Sequence, residues 1–255
     1  MLKKNRGIWV IAVVIFLVVM AGRGLSVFNL TKRTGGTIEV AAVDVGIIAG
    51  GSSMICGLIF PLLIVYFYSY IFSYKNNYQH IVRYEDRRKP AYKSIEMVML
   101  ASMLLVAAGI LVAAAAGFAV SGVWYNWNST KSMFYDELMV TNVGISHIPG
   151  VPVLVLKELL IGGLNCFFRS MLGVLAVLVL SRGWLAIGIV FFDYFLIPFR
   201  FERFFEIIYK PENGNYFGEL VVNDVYLSIV VQLLICGTLV SIVAILWSAR
   251  KDYLL

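Results

Sequence analysis

Charged residues are spaced along the chain so as to leave long silent runs. From Val45 to Tyr74 there are 30 residues without Asp, Glu, Lys or Arg, and from Met97 to Thr130 there are 34. Each run exceeds the roughly 20 residues a helix needs to cross a bilayer. The pattern predicts an all-α polytopic membrane protein, with residues 1–255 forming a single transmembrane domain. Its six spans fall at about 7–27, 46–72, 95–120, 156–181, 183–199 and 225–249. The fourth and fifth are unusual. Arg169 interrupts one, Asp193 interrupts the other, and Arg182-Gly183 must make a tight turn between them. From Glu158 to Arg182 a helix rises about 36 Å, enough to cross with polar groups at both ends. Pro61 is expected to kink the second span.

Small residues at four-residue spacing in the second span (Ala49, Ser53, Gly57) and from Ala113 to Gly117 in the third predict close helix approach. In lipid, where no hydrophobic effect drives helices together, such faces are the usual packing surfaces.

Composition agrees with this reading. Hydrophobic residues make up 60% and charged residues 14% of the chain, against roughly 25% charged in soluble domains. Mean hydropathy is +0.86. The net charge of +6 does not indicate nucleic acid, because the Lys and Arg lie between apolar runs and form no long basic face. Membrane orientation explains it instead. With the N-terminus in the cytoplasm, inner segments carry Lys3, Lys4, Arg6, Lys75, Arg83, Arg87, Arg88, Lys89, Lys93, Arg182, Arg250 and Lys251, which are 12 of the 21 basic residues. Most acids, among them Glu39, Asp44, Asp136, Glu137, Glu158 and Glu202, then fall outside. Both termini are expected in the cytoplasm of a cell-membrane protein. The start, MLKKNR before an apolar run, reads as an uncleaved first span, with a signal peptide as the alternative.

The outer segment 121–155 is aromatic, and Trp124, Tyr125, Trp127, Phe134 and Tyr135 are expected at headgroup level. Its second part, Leu138 to Leu156, is charge-free but holds Pro149 and Pro152, and reads as an interfacial or re-entrant segment.

Several chemistries are excluded. There is no Gly-Lys dipeptide and hence no P-loop, so any ATP must be bound by another chain. His80 and His147 are the only histidines, which rules out a zinc-protease helix; no GxSxG turn is present. Cys56, Cys166 and Cys236 are widely spaced inside apolar runs and read as packing residues. No catalytic, cofactor or metal site is expected.

Two constellations remain. The first is the cytoplasmic loop at 73–94. Tyr74, Tyr78, Ile81 and Val82 share one helix face, while Arg83, Asp86, Arg87 and Lys89 occupy others, and Pro90 is expected to end that helix. Lying on membrane lipid, such a helix could simply anchor the loop. The mixed charges Glu85, Asp86, Arg87 and Arg88 favour a protein partner over bare anionic lipid.

The second constellation is Arg169 with Asp193. Their depths differ by about one helical turn, within reach of a long arginine. Ionisable groups in spans are costly and usually paired or exposed to a water-filled cavity. A structural pair is the first reading, and a polar step on a transport route the second.

The basic N-terminus, six spans in about 250 residues, the basic link IVRYEDRRKPAYK before the third span and the closing Arg250-Lys251 together resemble the permease subunits of ABC-2-type transporters, particularly small bacterial peptide or bacteriocin exporters. The resemblance covers the layout of the whole chain, and its local motif is short. It implies a membrane permease that is not itself an enzyme. It also implies a dimer with a second copy or a related permease, a separate ATP-binding subunit docked through Tyr78, Ile81, Arg83, Glu85, Asp86, Arg87 and Arg88, and outward movement of a peptide, antimicrobial or lipid-like cargo. Rival readings are a non-transporting assembly or sensor subunit, and an intramembrane enzyme or secondary transporter.

Overall fold

A computed structural model describes residues 14–22, 25–26, 38–50, 52, 54–75, 88–140, 150–180, 182–196, 220–221 and 223–250. Residues 14–22 are helical. Among the described residues the further helices are α1 (Ala42–Gly50), α2 (Phe60–Lys75), α3 (Lys89–Ser121), α4 (Met133–Val140), α5 (Val151–Leu180), α6 (Gly183–Leu196) and α7 (Asn223–Arg250), with a π-helical turn at Ile55–Ile59 before α2. Among the described residues there is no strand, only an isolated parallel bridge between Glu39 and Ser132. By length and composition α3, α5 and α7 can each cross a membrane, and α1 with Ile55–Ser69 makes a fourth span if the broken pair is counted as one.

These spans are not equivalent. In α5, 78% of the apolar stretch is buried, against 33% in α3 and 28% in α7. The exposed spans present large apolar residues at helical spacing: Leu100, Leu104 and Leu111 on α3, and Leu227, Ile235, Leu239 and Leu246 on α7. Buried α5 instead carries Glu158, Asn165, Arg169 and Ser170. Polar side chains therefore sit on the helix that faces protein, where partners can meet them.

The chain divides into two compact units, the first built from 1–52, 106–159 and 211–226 and the second from 53–105, 160–210 and 227–255. In the first, α1 lies close against α3. A Cβ added to Gly46 would come within 3.1 Å of Ala114 Cβ, and one on Gly117 within 3.0 Å of Val45. The small residues are what allow this approach. α3 closes at Gly122, whose φ of 68° suits glycine and whose N–H donates to Phe118 O at 2.8 Å.

Backbone pairing then clamps the segment before α1 to the segment after α3. Glu39 N–H donates to Lys131 O (2.7 Å), Met133 N–H to Glu39 O (3.0 Å), and Ala42 N–H to Val123 O (2.9 Å). Asp44 sits at the third position of α1 and accepts from the Ala41 N–H at 2.9 Å, capping the helix start. Its other oxygen accepts from Trp127 Nε1 at 2.5 Å, and Trp127 stacks on Phe134 at 4.0 Å.

In the second unit α2 packs along α6. Gly183, which opens α6, is in such close contact that an added Cβ would lie 2.7 Å from Ser69 Cβ. Tyr68 and Ser94 share a buried hydrogen bond of 2.9 Å between α2 and α3.

Several expectations change. The disturbance foreseen at Pro61 takes the form of the π turn: Phe60 N–H reaches back five residues to Ile55 O. Pro61 has no N–H to give Gly57 O, and a widened turn also makes room for its ring. Pro90 is the second residue of α3, where a missing N–H costs nothing in a first turn, and the helix it was expected to end lies outside the described residues. For the same reason α5 begins at Val151 with Pro152 inside its first turn, five residues before the expected span. Residues 141–149, where a re-entrant segment was expected, lie outside the described residues. Trp124 and Tyr125 are exposed as headgroup residues should be, but Trp127 and Phe134 are buried against Asp44 and each other. Asp44 and Glu158, counted above as outer acids, are 0% and 2% exposed.

Replacing Trp127 by Phe should keep the stack on Phe134 but remove the indole N–H from a fully buried carboxylate. The expected loss is about 1–3 kcal/mol, the cost of an unmet buried acceptor, read as a lower unfolding midpoint of the purified chain in detergent. An unchanged midpoint would show that the Asp44 contact does not hold the clamp.

Candidate functional site

Among the described residues, the second unit buries one charged side chain, Arg169. Arg169 lies eighteen residues into α5, about 16 Å from the Leu180 end at 1.5 Å per residue. Its side chain is 5% exposed. Helical spacing puts Asn165 one turn earlier on the same face, and Arg169 Nε donates to Asn165 Oδ1 at 3.0 Å. Nη1 donates to Asp193 Oδ2 at 2.6 Å, across to α6. α6 starts at Gly183, soon after α5 ends at Leu180, and the contact itself brings Arg169 of α5 and Asp193 of α6 together.

The π turn supplies another wall. A Cβ on Gly57 would stand 3.3 Å from Arg169 Nε and 3.5 Å from Tyr194 Cδ2. Glycine here lets the turn sit directly against the guanidinium. Further along α5, Cys166 and Ser170 are fully buried and 3.9 Å apart through Sγ and Oγ. Asp193 differs from Arg169 in one respect: 29% of its side chain is exposed. The cation is enclosed and the carboxylate looks out.

The first unit has its own polar contacts on α5. Lys157 Nζ donates to Leu220 O at 2.8 Å and lies 4.7 Å from the centre of the Tyr226 ring. Glu158 is packed near Gly50, where an added Cβ would be 3.1 Å from Glu158 Cγ. These contacts hold the start of α5 and offer no reactive geometry.

Of the residues singled out from sequence, the structure brings Arg169 and Asp193 into direct contact. Tyr78, Ile81, Arg83, Glu85, Asp86 and Arg87 lie outside the described residues; Arg88 is described, in an exposed turn at the start of α3. Asn165 and Gly57 were missed as members of the cluster. The i−4 spacing of Asn165 from Arg169 was a readable signal, whereas nothing in the sequence places Gly57 opposite Arg169. Cys56 and Cys166 are buried and Cys236 half-buried, none of them in a disulfide. Among the described residues no group of His, Cys, Asp and Glu is placed to hold a metal ion.

Comparison with known protein families, characterised proteins and solved structures gives no match to this chain.

Asp193→Asn should leave Arg169 enclosed without a counter-charge. Breaking a buried pair typically costs 3–5 kcal/mol, so a loss of about 3 kcal/mol is expected here, at the low end because Asp193 is partly exposed. Thermal or denaturant unfolding of the purified variant measures it. Wild-type stability in this variant would mean that Arg169 is solvated well enough without Asp193.

Proposed function

We propose that this chain is the membrane-spanning permease subunit of an ATP-driven exporter, with six spans, working as a dimer with a second copy or a related permease and with a separate ATP-binding subunit. The observation that carries the reading is the basic link between the second and third spans. α2 ends at Lys75 and α3 starts at Lys89, so the charged sequence KNNYQHIVRYEDRR joins two apolar helices. A membrane anchor needs only Lys and Arg at such a place. This link adds Glu85 and Asp86 among arginines and an apolar face of Tyr78, Ile81 and Val82. That combination fits a short coupling helix which rests on the membrane by one face and offers alternating charge to a soluble protein by the other.

The layout supports the rest. This sequence holds no P-loop, and the reading assigns the energy source to the separate ATP-binding subunit. Rocking of two packed copies, driven by closure of ATP-binding subunits beneath the coupling helices, would open a path outward. Peptides, antimicrobial compounds and lipid-like molecules are the cargo classes in keeping with the resemblance described above. The buried polar cluster on α5 is compatible with a route for such molecules, since an all-lipid environment would not support it.

Charge reversal of Arg87 and Arg88 to Glu should abolish copurification of the ATP-binding subunit and uncouple ATP hydrolysis from export, with membrane insertion unchanged. Replacing Tyr78 and Ile81 by Ser should weaken coupling without abolishing partner binding. Intact partner binding and transport after the Arg reversal would sink the coupling-helix reading.

A further inference from the structure

Arg169 carries five N–H donors. Among the described residues its partners are Asn165 and Asp193, which take one donor each and leave three. Asp193 gives one oxygen to Arg169, and no described residue donates to the other. In hydrocarbon every such unmet group costs several kcal/mol, a cost that drives polar groups to internal partners or water. The cluster therefore faces a polar phase. Its opening lies on the Asp193 side, since Asp193 is 29% exposed and Arg169 only 5%.

We propose that the Arg169–Asp193 pair is a water-accessible binding site for a peptide backbone, with Arg169 donating to a peptide carbonyl and Asp193 accepting from a peptide N–H. Three features select this ligand. The pair is neutral overall, so it gains little from a ligand with net charge and most from a dipolar group. It offers donors and an acceptor side by side, and a residue of an extended chain presents its own N–H and C=O along one edge, as it does to a neighbouring strand. On α6, one turn before Asp193 on the same face, Ile189 is 40% exposed and suits a side chain of an apolar peptide. Gly57 in the π turn stands against the guanidinium and helps to fix it in place for the incoming carbonyl.

This inference rests on the export reading in that it chooses a peptide among the proposed cargoes. The test needs neither ATP nor transport, so the two can fail separately. Ile189 lies one turn before Asp193 on the same face of α6, and Ile189→Cys reports on the site while leaving the pair intact. It is made in the full chain with Cys56, Cys166 and Cys236 replaced by Ala, reconstituted in lipid nanodiscs without any ATP-binding subunit. Labelling with a water-soluble, lipid-impermeant methanethiosulfonate should proceed at a rate comparable to that at a cysteine placed at exposed Asn128. The neutral peptide N-acetyl-Leu-Leu-methylamide should slow that labelling by about tenfold, the fall in free site expected when a ligand stands roughly ten times above its Kd. In the Arg169→Met/Asp193→Leu background the peptide should lose this effect, while labelling at Asn128→Cys stays unchanged throughout.

Three results would overturn the proposal. Ile189→Cys could react with N-ethylmaleimide but not with the impermeant reagent, which would place it in lipid. It could react with both and show no slowing by the peptide. Or the slowing could persist after the pair is replaced. Accessibility and protection in a chain that never associates with an ATP-binding subunit would support the site and count against the exporter reading alone.

Discussion

A guanidinium cannot be left bare in an apolar helix bundle, and much of the second unit is arranged to meet that requirement. Taking one unpaired ion out of water costs several kcal/mol even after relaxation. Arg169 meets the demand with Asn165 from its own helix and Asp193 from α6. Both bonds require specific geometry: a continuous helix for the i−4 bond, and a start of α6 at Gly183 that sets Asp193 at the right depth. The π turn then follows as a matching surface. Pro61 disrupts regular bonding one turn back, Phe60 bonds to Ile55 in the wider register, and Gly57 in that turn comes against Arg169. A residue larger than glycine at 57 would push either the turn or the arginine aside.

The first unit handles a buried carboxylate differently. Asp44 is fully enclosed and holds two N–H donors, one from the backbone at the start of α1 and one from Trp127. Its position as the third residue of a helix places it where peptide dipoles favour negative charge. The same carboxylate caps a helix and ties the aromatic segment after α3 to the segment before α1. Close packing through Gly46 and Gly117 continues that attachment along the helices.

Much of this architecture is legible in the sequence, and the reasons for the exceptions are physical. Charge-free runs overlap α3 and α7, because a span must exclude charge whatever its surroundings, while the run read as one span at 46–72 is a bent pair, α1 with Ile55–Ser69. The Arg169–Asp193 juxtaposition is readable as the first of two alternatives, since their depths put them within reach of each other, and the contact bears that reading out. What hydropathy does not reveal is which span is enclosed by the others. Glu158 reads as a polar end of a helix, yet it is buried, because α5 is enclosed while α3 and α7 are not. Trp127 reads as a headgroup residue because its composition suits that role, and only the contact with Asp44 shows otherwise. Pro90 and Pro152 illustrate a local ambiguity: a proline breaks a helix interior and equally well begins a helix. The facing of Gly57 and Arg169 depends on the turn register set by Pro61, which no spacing rule contains.

Coupling within the pair can be measured directly. A double-mutant cycle with Arg169→Met and Asp193→Leu in the purified chain isolates the energy the two side chains share. Each single change leaves one charge without its partner and should cost about 3 kcal/mol, whereas the double change removes both charges from the interior and should cost much less than the sum. A coupling of about 1.5 kcal/mol or more is the predicted result. Additivity of the two losses to within about 0.5 kcal/mol would contradict it, and would mean that α5 and α6 are held together by apolar packing alone.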